Sequence, residues 1–261
     1  MKKLLLALSA MALLTGSASA ADLGTPHYYT KAPPVAPAYS WTGFYIFGGA
    51  GGGLWDADNN VVTNPGRAPL TIDQRMGGDG WFGTAGAGYD WQFNNSWVAG
   101  VFADGQFGSI RGSINDNFAG LTGTEKLRDT WAVGARVGYL VTPNVYSYVN
   151  GGFTESYWSG ASLGPTTGGA ATVTTPSLTR DGWFIGGGVE NSLDIFGVHI
   201  PGLFMKTEYR AAHFDRATLL ETFIATGLPT VRSVTFKPLV QTISTSLVYR
   251  FNWGGPVVAK Y

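Results

Sequence analysis

GWFGTAGAGYDWQF, Gly80 to Phe93, decides the fold. Every second residue from Trp81 gives Trp, Gly, Ala, Ala, Tyr, Trp and Phe, and the residues between them are Phe, Thr, Gly, Gly, Asp and Gln. A period of two is that of an extended strand, whose side chains alternate across it. One face is apolar and ends in aromatic rings; the other is small and polar. The strand therefore separates an apolar medium from a polar one, and the apolar medium is either a packed core or a lipid bilayer.

Composition narrows the choice. The chain has 261 residues, formal net charge zero, 13% charged residues, 38 Gly and no Cys. Without a run of Lys and Arg there is no phosphate-binding patch for nucleic acid, so no nucleic-acid partner is expected. The absence of Cys excludes disulfides and thiolate metal sites. With 44% hydrophobic residues the chain is not disordered, yet so little charge and so much Gly suit a soluble domain poorly. Residues 1–20 read as a signal peptide: Lys2 and Lys3, an apolar run from Leu4 to Leu14, and Ala18-Ser19-Ala20 with cleavage after Ala20. Residues 21–40, with Pro26, Pro33, Pro34 and Pro37, read as an extended periplasmic linker.

Eight segments resemble the first stretch: Gly43–Trp55, Gly80–Phe93, Ser96–Gly108, Leu127–Val141, Asn144–Trp158, Arg180–Leu193, Gly202–His213 and Leu239–Trp253. The connections alternate. Long polar loops are expected over Asp56–Asp79, Ser109–Lys126, Ser159–Thr179 and Phe214–Pro238, with short turns at Asn94-Asn95 and Thr142-Pro143 and a longer one around Asp194–Pro201. Soluble strands usually run about 5–6 residues, whereas these exceed the roughly 9–11 that a tilted transmembrane strand needs. In lipid an open sheet edge leaves backbone groups unpaired, so such strands must close. The expected fold is all-β, an eight-stranded antiparallel up-and-down transmembrane β-barrel over residues 41–253, with both termini in the periplasm and a C-terminal extension at 254–261.

Charge assigns the faces. In GLFMKTEYRAAH, Lys206, Glu208 and Arg210 alternate with Met205, Thr207 and Tyr209. A basic residue at the bilayer midplane costs about 2–4 kcal/mol, so these three face the lumen. The same reading turns Asp90, Asp104, Arg136, Glu190 and Arg250 inward and Val133, Ala135, Val137, Val189, Ile243 and Leu247 outward; aromatic and small residues on both sides leave the first and fifth strands undecided. Four acids and four bases in a narrow lumen should pair. Interfacial aromatics are expected at one rim from Trp91, Phe93, Trp97, Tyr139, Tyr249, Phe251 and Trp253, and at the other from Trp55, Trp81, Trp131, Trp158 and Trp183.

The signal ending in ASAAD, the Pro-rich linker, YSWTGFYIFGGAGGG from Tyr39 and LVYRFNWGGPVVAKY from Leu247 resemble the alphaproteobacterial outer-membrane β-barrel family labelled porin-family or outer-membrane immunogenic protein. The resemblance implies an architecture like the transmembrane domain of outer membrane protein A, and surface antigens of which some are proposed to take haem-like ligands or host surfaces. It also implies insertion by the barrel-assembly machinery, which reads an aromatic-x-aromatic pattern matched here by Tyr249-Arg250-Phe251. The extension to Tyr261 departs from a pattern that ends the chain.

The function expected from this reading is that of a structural outer-membrane barrel contributing to envelope integrity and surface recognition. It would meet outer-membrane lipid and lipopolysaccharide, and an extracellular ligand would bind its loops. A small or gated porin is the alternative. A lipid A-modifying enzyme is a weaker one, for which His213 is the candidate base; His27 and His199 fall in the linker and a periplasmic turn. No cofactor, metal or catalytic residue is expected. GGAGGG at Gly48–Gly53 lacks the Lys-Ser/Thr of a phosphate loop and reads as strand glycine.

Overall fold

The computed structural model describes residues 40–197 and 200–251. The signal segment, the linker to residue 39, His27, His199, Trp253 and the extension 254–261 lie outside the described residues. Twelve strands form one antiparallel sheet: β1 (Gly43–Asn59), β2 (Val61–Thr63), β3 (Gln74–Phe93), β4 (Trp97–Asp116), β5 (Leu121–Thr142), β6 (Val145–Trp158), β7 (Ser162–Pro165), β8 (Val173–Thr174), β9 (Leu178–Ser192), β10 (Leu203–Phe214), β11 (Ala217–Phe223) and β12 (Pro229–Phe251). Eight of them pair in the cyclic order β1-β3-β4-β5-β6-β9-β10-β12, and β12 returns to β1 through a continuous register from Phe44↔Phe251 to Asp58↔Lys237. The barrel is closed.

Of the four expected long loops, 109–126 and 214–238 are mostly strand, 56–79 is about half strand, and 159–179 holds only short strand pieces. β3 begins at Gln74, β4 runs on to Asp116, and β12 begins at Pro229. Those segments were misread because their outward residues, such as Arg75, Ser113, Thr122 and Thr218, are polar, while the inward alternates Ile114, Leu121, Leu219 and Val234 are buried. Leu219, expected on an exposed loop, is therefore core. A 20-residue strand at about 3.3 Å per residue, tilted by about 40°, rises roughly 50 Å, twice the roughly 25 Å apolar band of an outer-membrane barrel. About half of the wall stands above the membrane.

Three strands break before reaching the top. The chain leaves β6 at Trp158, turns through Gly160 at φ +75°, and resumes on β5 as β7 with Gly123↔Leu163. A side chain at Gly160 would be strained by that φ and would meet the Thr175 carbonyl oxygen at 2.6 Å. β8 and β9 are separated by 175–177, and β10 and β11 by Asp215 and Arg216. Above the breaks the ring closes through β5-β7-β8-β11-β12. At the other end Asn94 and Asn95, at φ 50° and 60°, make the tight β3–β4 turn.

The glycine run of β1 has a packing reason. A Cβ at Gly49 would lie 2.1 Å from the Thr245 carbonyl oxygen, and one at Gly51 would lie 2.7 Å from the Phe82 ring. The narrow lumen has no room there.

Candidate functional site: the filled lumen

All eight charges assigned to the lumen are buried, and they form two neutral groups. In the lower one Arg136 grips Asp90 through both oxygens, Nε to Oδ1 at 3.0 Å and Nη2 to Oδ2 at 2.6 Å, and reaches Glu190 Oε2 at 3.1 Å. Arg250 bridges the same acids, donating to Glu190 Oε1 at 2.7 Å and to Asp90 Oδ2 at 2.8 Å. Each guanidinium thus touches both carboxylates. Aromatic faces close the group: Arg136 lies 4.3 Å from the Tyr45 ring centre and Arg250 lies 4.4 Å from that of Trp41. Trp41 also donates from Nε1 to the Pro143 carbonyl, closing the end of the lumen nearest the short turns.

The upper group joins strands across the barrel. Arg210 donates two bonds to Asp104, at 3.0 and 2.9 Å, and one to Glu208 Oε1 at 2.8 Å. Glu208 Oε2 accepts from the Tyr148 hydroxyl at 2.8 Å and from Asn150 Nδ2 at 2.9 Å. Lys206 Nζ stands 3.8 Å from Glu208 and 3.4 Å from the Phe47 ring centre. Such pairs are stable in low dielectric only when the lone pairs and protons find partners, and these largely do.

Higher still, the lumen turns apolar. Trp55, Trp158 and Phe236 meet edge to face at 4.9 to 5.6 Å. Trp55 and Trp158 were expected at the membrane rim, yet they are 1% and 0% exposed. Trp55 shares the inward parity of Tyr45 and Phe47, a face that aromatics on both sides of β1 had hidden. Above this plug sit Ile114, Leu121, Leu163, Val173 and Val234, all buried. Asp116 accepts from the Phe118 and Ala119 amides and from Arg232 Nε at 2.8 Å, and Arg232 Nη2 lies 3.6 Å from Glu221. Burial and the neighbouring Asp116 push the Glu221 carboxyl up to about 7, and burial alone does the same to Glu125.

The rim aromatics stand on the outer wall. Trp81, Trp91, Trp97, Trp131, Trp183 and Tyr249 are exposed and Phe251 is half-buried. His213 is also outward, stacked on Trp183 at 4.6 Å. The sequence reading missed Trp41, Tyr45, Tyr146, Tyr148 and Asn150 as lumen residues. Trp41 precedes the first strand and has no periodicity to betray it. The others lie on the first and fifth strands, where period two alone does not choose a face.

Residues 7–251 match the family model described as outer membrane protein beta-barrel domain. The chain is 32% identical over 228 residues to the 31 kDa outer-membrane immunogenic protein of Brucella melitensis biotype 1, covering 85% of this chain and 90% of the relative, and equally to that of Brucella suis biovar 1. The crystal structure of outer membrane protein OprG from Pseudomonas aeruginosa aligns with 80% of this chain and 97% of its own, at 11% identity and a TM-score of 0.43. The closed ring of strands, its charged interior and apolar girdle, and the match over nearly the whole chain place this protein in the outer-membrane β-barrel family.

Proposed function

We propose that the protein is a non-conducting, non-enzymatic outer-membrane barrel that supports the envelope and holds a rigid tip above the membrane. The observation that carries this reading is the lumen: two ion-paired layers, an aromatic plug and an apolar cap succeed one another along its length. An eight-stranded barrel is just narrow enough for side chains to fill. His213 faces outward against Trp183, and the acids of the two ion-paired layers are held by cations, so none of these groups among the described residues is free to serve as a general base.

Two contacts with the cell belong to this reading. Tyr249-Arg250-Phe251 on the last strand serves the barrel-assembly machinery, and the aromatic girdle meets outer-membrane lipid, lipopolysaccharide included. The tip is the surface for extracellular recognition. Phe118, Phe223, Ile224, Leu228 and Val231 are exposed there, and the Brucella relatives are named as immunogenic. The test is electrical: purified barrel in planar bilayers should give no reproducible unit conductance. Stable single-channel steps in the wild type would replace this reading with that of a small porin.

A further inference from the structure

The hairpin that joins β11 to β12 reads TFIATGLPTV from Thr222 to Val231, a run without a single charge. Every residue from Phe223 to Pro229 is exposed, and so is Val231. Among the large side chains, Phe223, Ile224, Leu228 and Val231 are 44%, 50%, 63% and 72% exposed, and Phe118 adds an exposed ring 5.9 Å from the Arg232 guanidinium. The charges that flank the hairpin are withdrawn from this surface. Glu221 is fully buried, and Arg232 turns to Asp116 at 2.8 Å and to Glu221 at 3.6 Å. A contiguous apolar patch with its neighbouring charges turned away marks a docking surface, not a solvated turn.

The polar groups of the hairpin are largely engaged within it. Phe223 N donates to Leu228 O at 2.9 Å, Gly227 N to Phe223 O at 2.8 Å and Ile224 N to Thr172 O at 3.0 Å, while Leu228 N reaches Thr226 Oγ1 at 3.3 Å. Thr230 Oγ1 bonds the Arg232 backbone, and Pro229 has no amide hydrogen to satisfy. An apolar medium penalises unpaired backbone groups, so these bonds suit the turn to leaving water. The four side chains expose on the order of 400 Å², about half of the roughly 800 Å² per partner of a stable protein interface. So small a surface, with no charge to orient a partner, fits a fluid apolar medium better than a protein pocket. We propose that this hairpin docks the tip onto an apposed lipid bilayer, with Phe223, Ile224, Leu228 and Val231 in the interfacial layer of that bilayer. Pairing of β11 with β8 and β12 holds the turn on the upper wall, away from the membrane that the barrel spans. Docking of this kind rests on the recognition role proposed for the tip and not on the closed lumen, so a conducting barrel would leave it standing.

The chain has no Cys, so Ala225→Cys places its one thiol on the hairpin for an environment-sensitive fluorophore. The labelled barrel, held in nanodiscs, is mixed with protein-free phosphatidylcholine vesicles. Emission should move to the blue and be half complete at about 0.1 mM lipid, because the four side chains carry about as much apolar carbon as a myristoyl chain, whose binding constant is about 10⁴ M⁻¹. Salt at about 0.5 M should leave the shift in place, since no charge takes part. Adding F223S/I224S/L228S should raise the half-point about a hundredfold, with an unchanged heat-dependent gel shift to establish that the barrel is folded. No shift with the wild-type hairpin, an equal shift with the triple variant, or a shift that salt abolishes overturns the proposal. So does a shift produced only by cell membranes that still carry their proteins and lost when protease strips them. In that case the tip would keep its recognition role, with a protein as the partner.

Discussion

Below the girdle the wall is apolar outside and charged inside; above it the same wall is polar outside and mostly apolar inside, with Glu125 and the Asp116, Arg232 and Glu221 group as the charged exceptions. On β5 the lower outward residues are Val133, Ala135 and Val137 around an inward Arg136, while the upper outward residues are Thr122, Thr124 and Lys126 around inward Leu121 and Leu127. The change falls at Arg128 and Asp129, where the pairing of β5 with both neighbours slips. β4 inverts likewise, from outward Val101 and Ala103 with inward Asp104 to outward Arg111 and Ser113 with inward Ile110 and Ile114. Period two holds within each half, interrupted on β5 by that slip, and the medium outside changes between them. An apolar interior gains little in a bilayer, because lipid tails are as apolar as Leu. Surrounded by water, the upper half is stabilised by the hydrophobic effect, and its interior is accordingly aromatic and aliphatic.

The largest expected effect comes from emptying the lower interior of one charge. Arg136→Ala removes a partner from Asp90 and Glu190 together and leaves buried acids with Arg250 alone. Breaking a buried pair this way costs about 3–5 kcal/mol, so urea unfolding and the temperature of the gel shift should both fall sharply. Wild-type unfolding in the variant would mean that the lower layer is not held by charge. Next in size is a charge placed on the outer wall. Ala135→Arg, midway between Trp131 and Tyr139, should cost about 2–4 kcal/mol, whereas Thr218→Arg on the upper wall should change stability by no more than about 0.5 kcal/mol. Equal costs at the two sites would erase the distinction between the halves.

The sequence made the lower half legible because a charge on an alternate position has one acceptable side in lipid. Lys206, Glu208 and Arg210 assign β10 by themselves, and Asp90 assigns β3. The pairing partners were not legible, since Arg210 meets Asp104 across 106 positions of chain. The upper half was read as loop because polar outward residues next to Gly, Thr and Pro look like connections. The clue lay in the inward alternates, Ile110-x-x-x-Ile114 on β4 and Val234-x-Phe236 on β12, which are apolar with the parity of the strands below. That pattern belongs to a half-buried strand in water. Trp55 and Trp158 deceived for a related reason: a Trp near the top of a transmembrane strand suits the interface and the plug equally well until parity is fixed.

The smallest effect separates the halves by pH. Glu125 points into the upper core, where Oε1 accepts from the Lys126 and Gly160 amides and Oε2 is buried without a hydrogen-bond partner. Burial raises its carboxyl from an ordinary 4.5 to about 7. A carboxyl raised in the folded state binds its proton more tightly there than in the unfolded chain. Its contribution is therefore whole below about pH 4.5 and is lost as pH rises through 7, at a cost of up to roughly 3 kcal/mol. Amide exchange along β5 from Leu121 to Leu127 should accelerate between pH 5 and 8 by more than the intrinsic chemistry requires, while exchange around Arg136 should follow the intrinsic rate alone. Glu125→Gln, which keeps the shape and removes the titration, should abolish much of the excess, with Glu221 supplying the remainder. Excess acceleration of equal size in both segments would mean that the two halves open as one unit, and that the inversion at Arg128 divides their chemistry but not their stability.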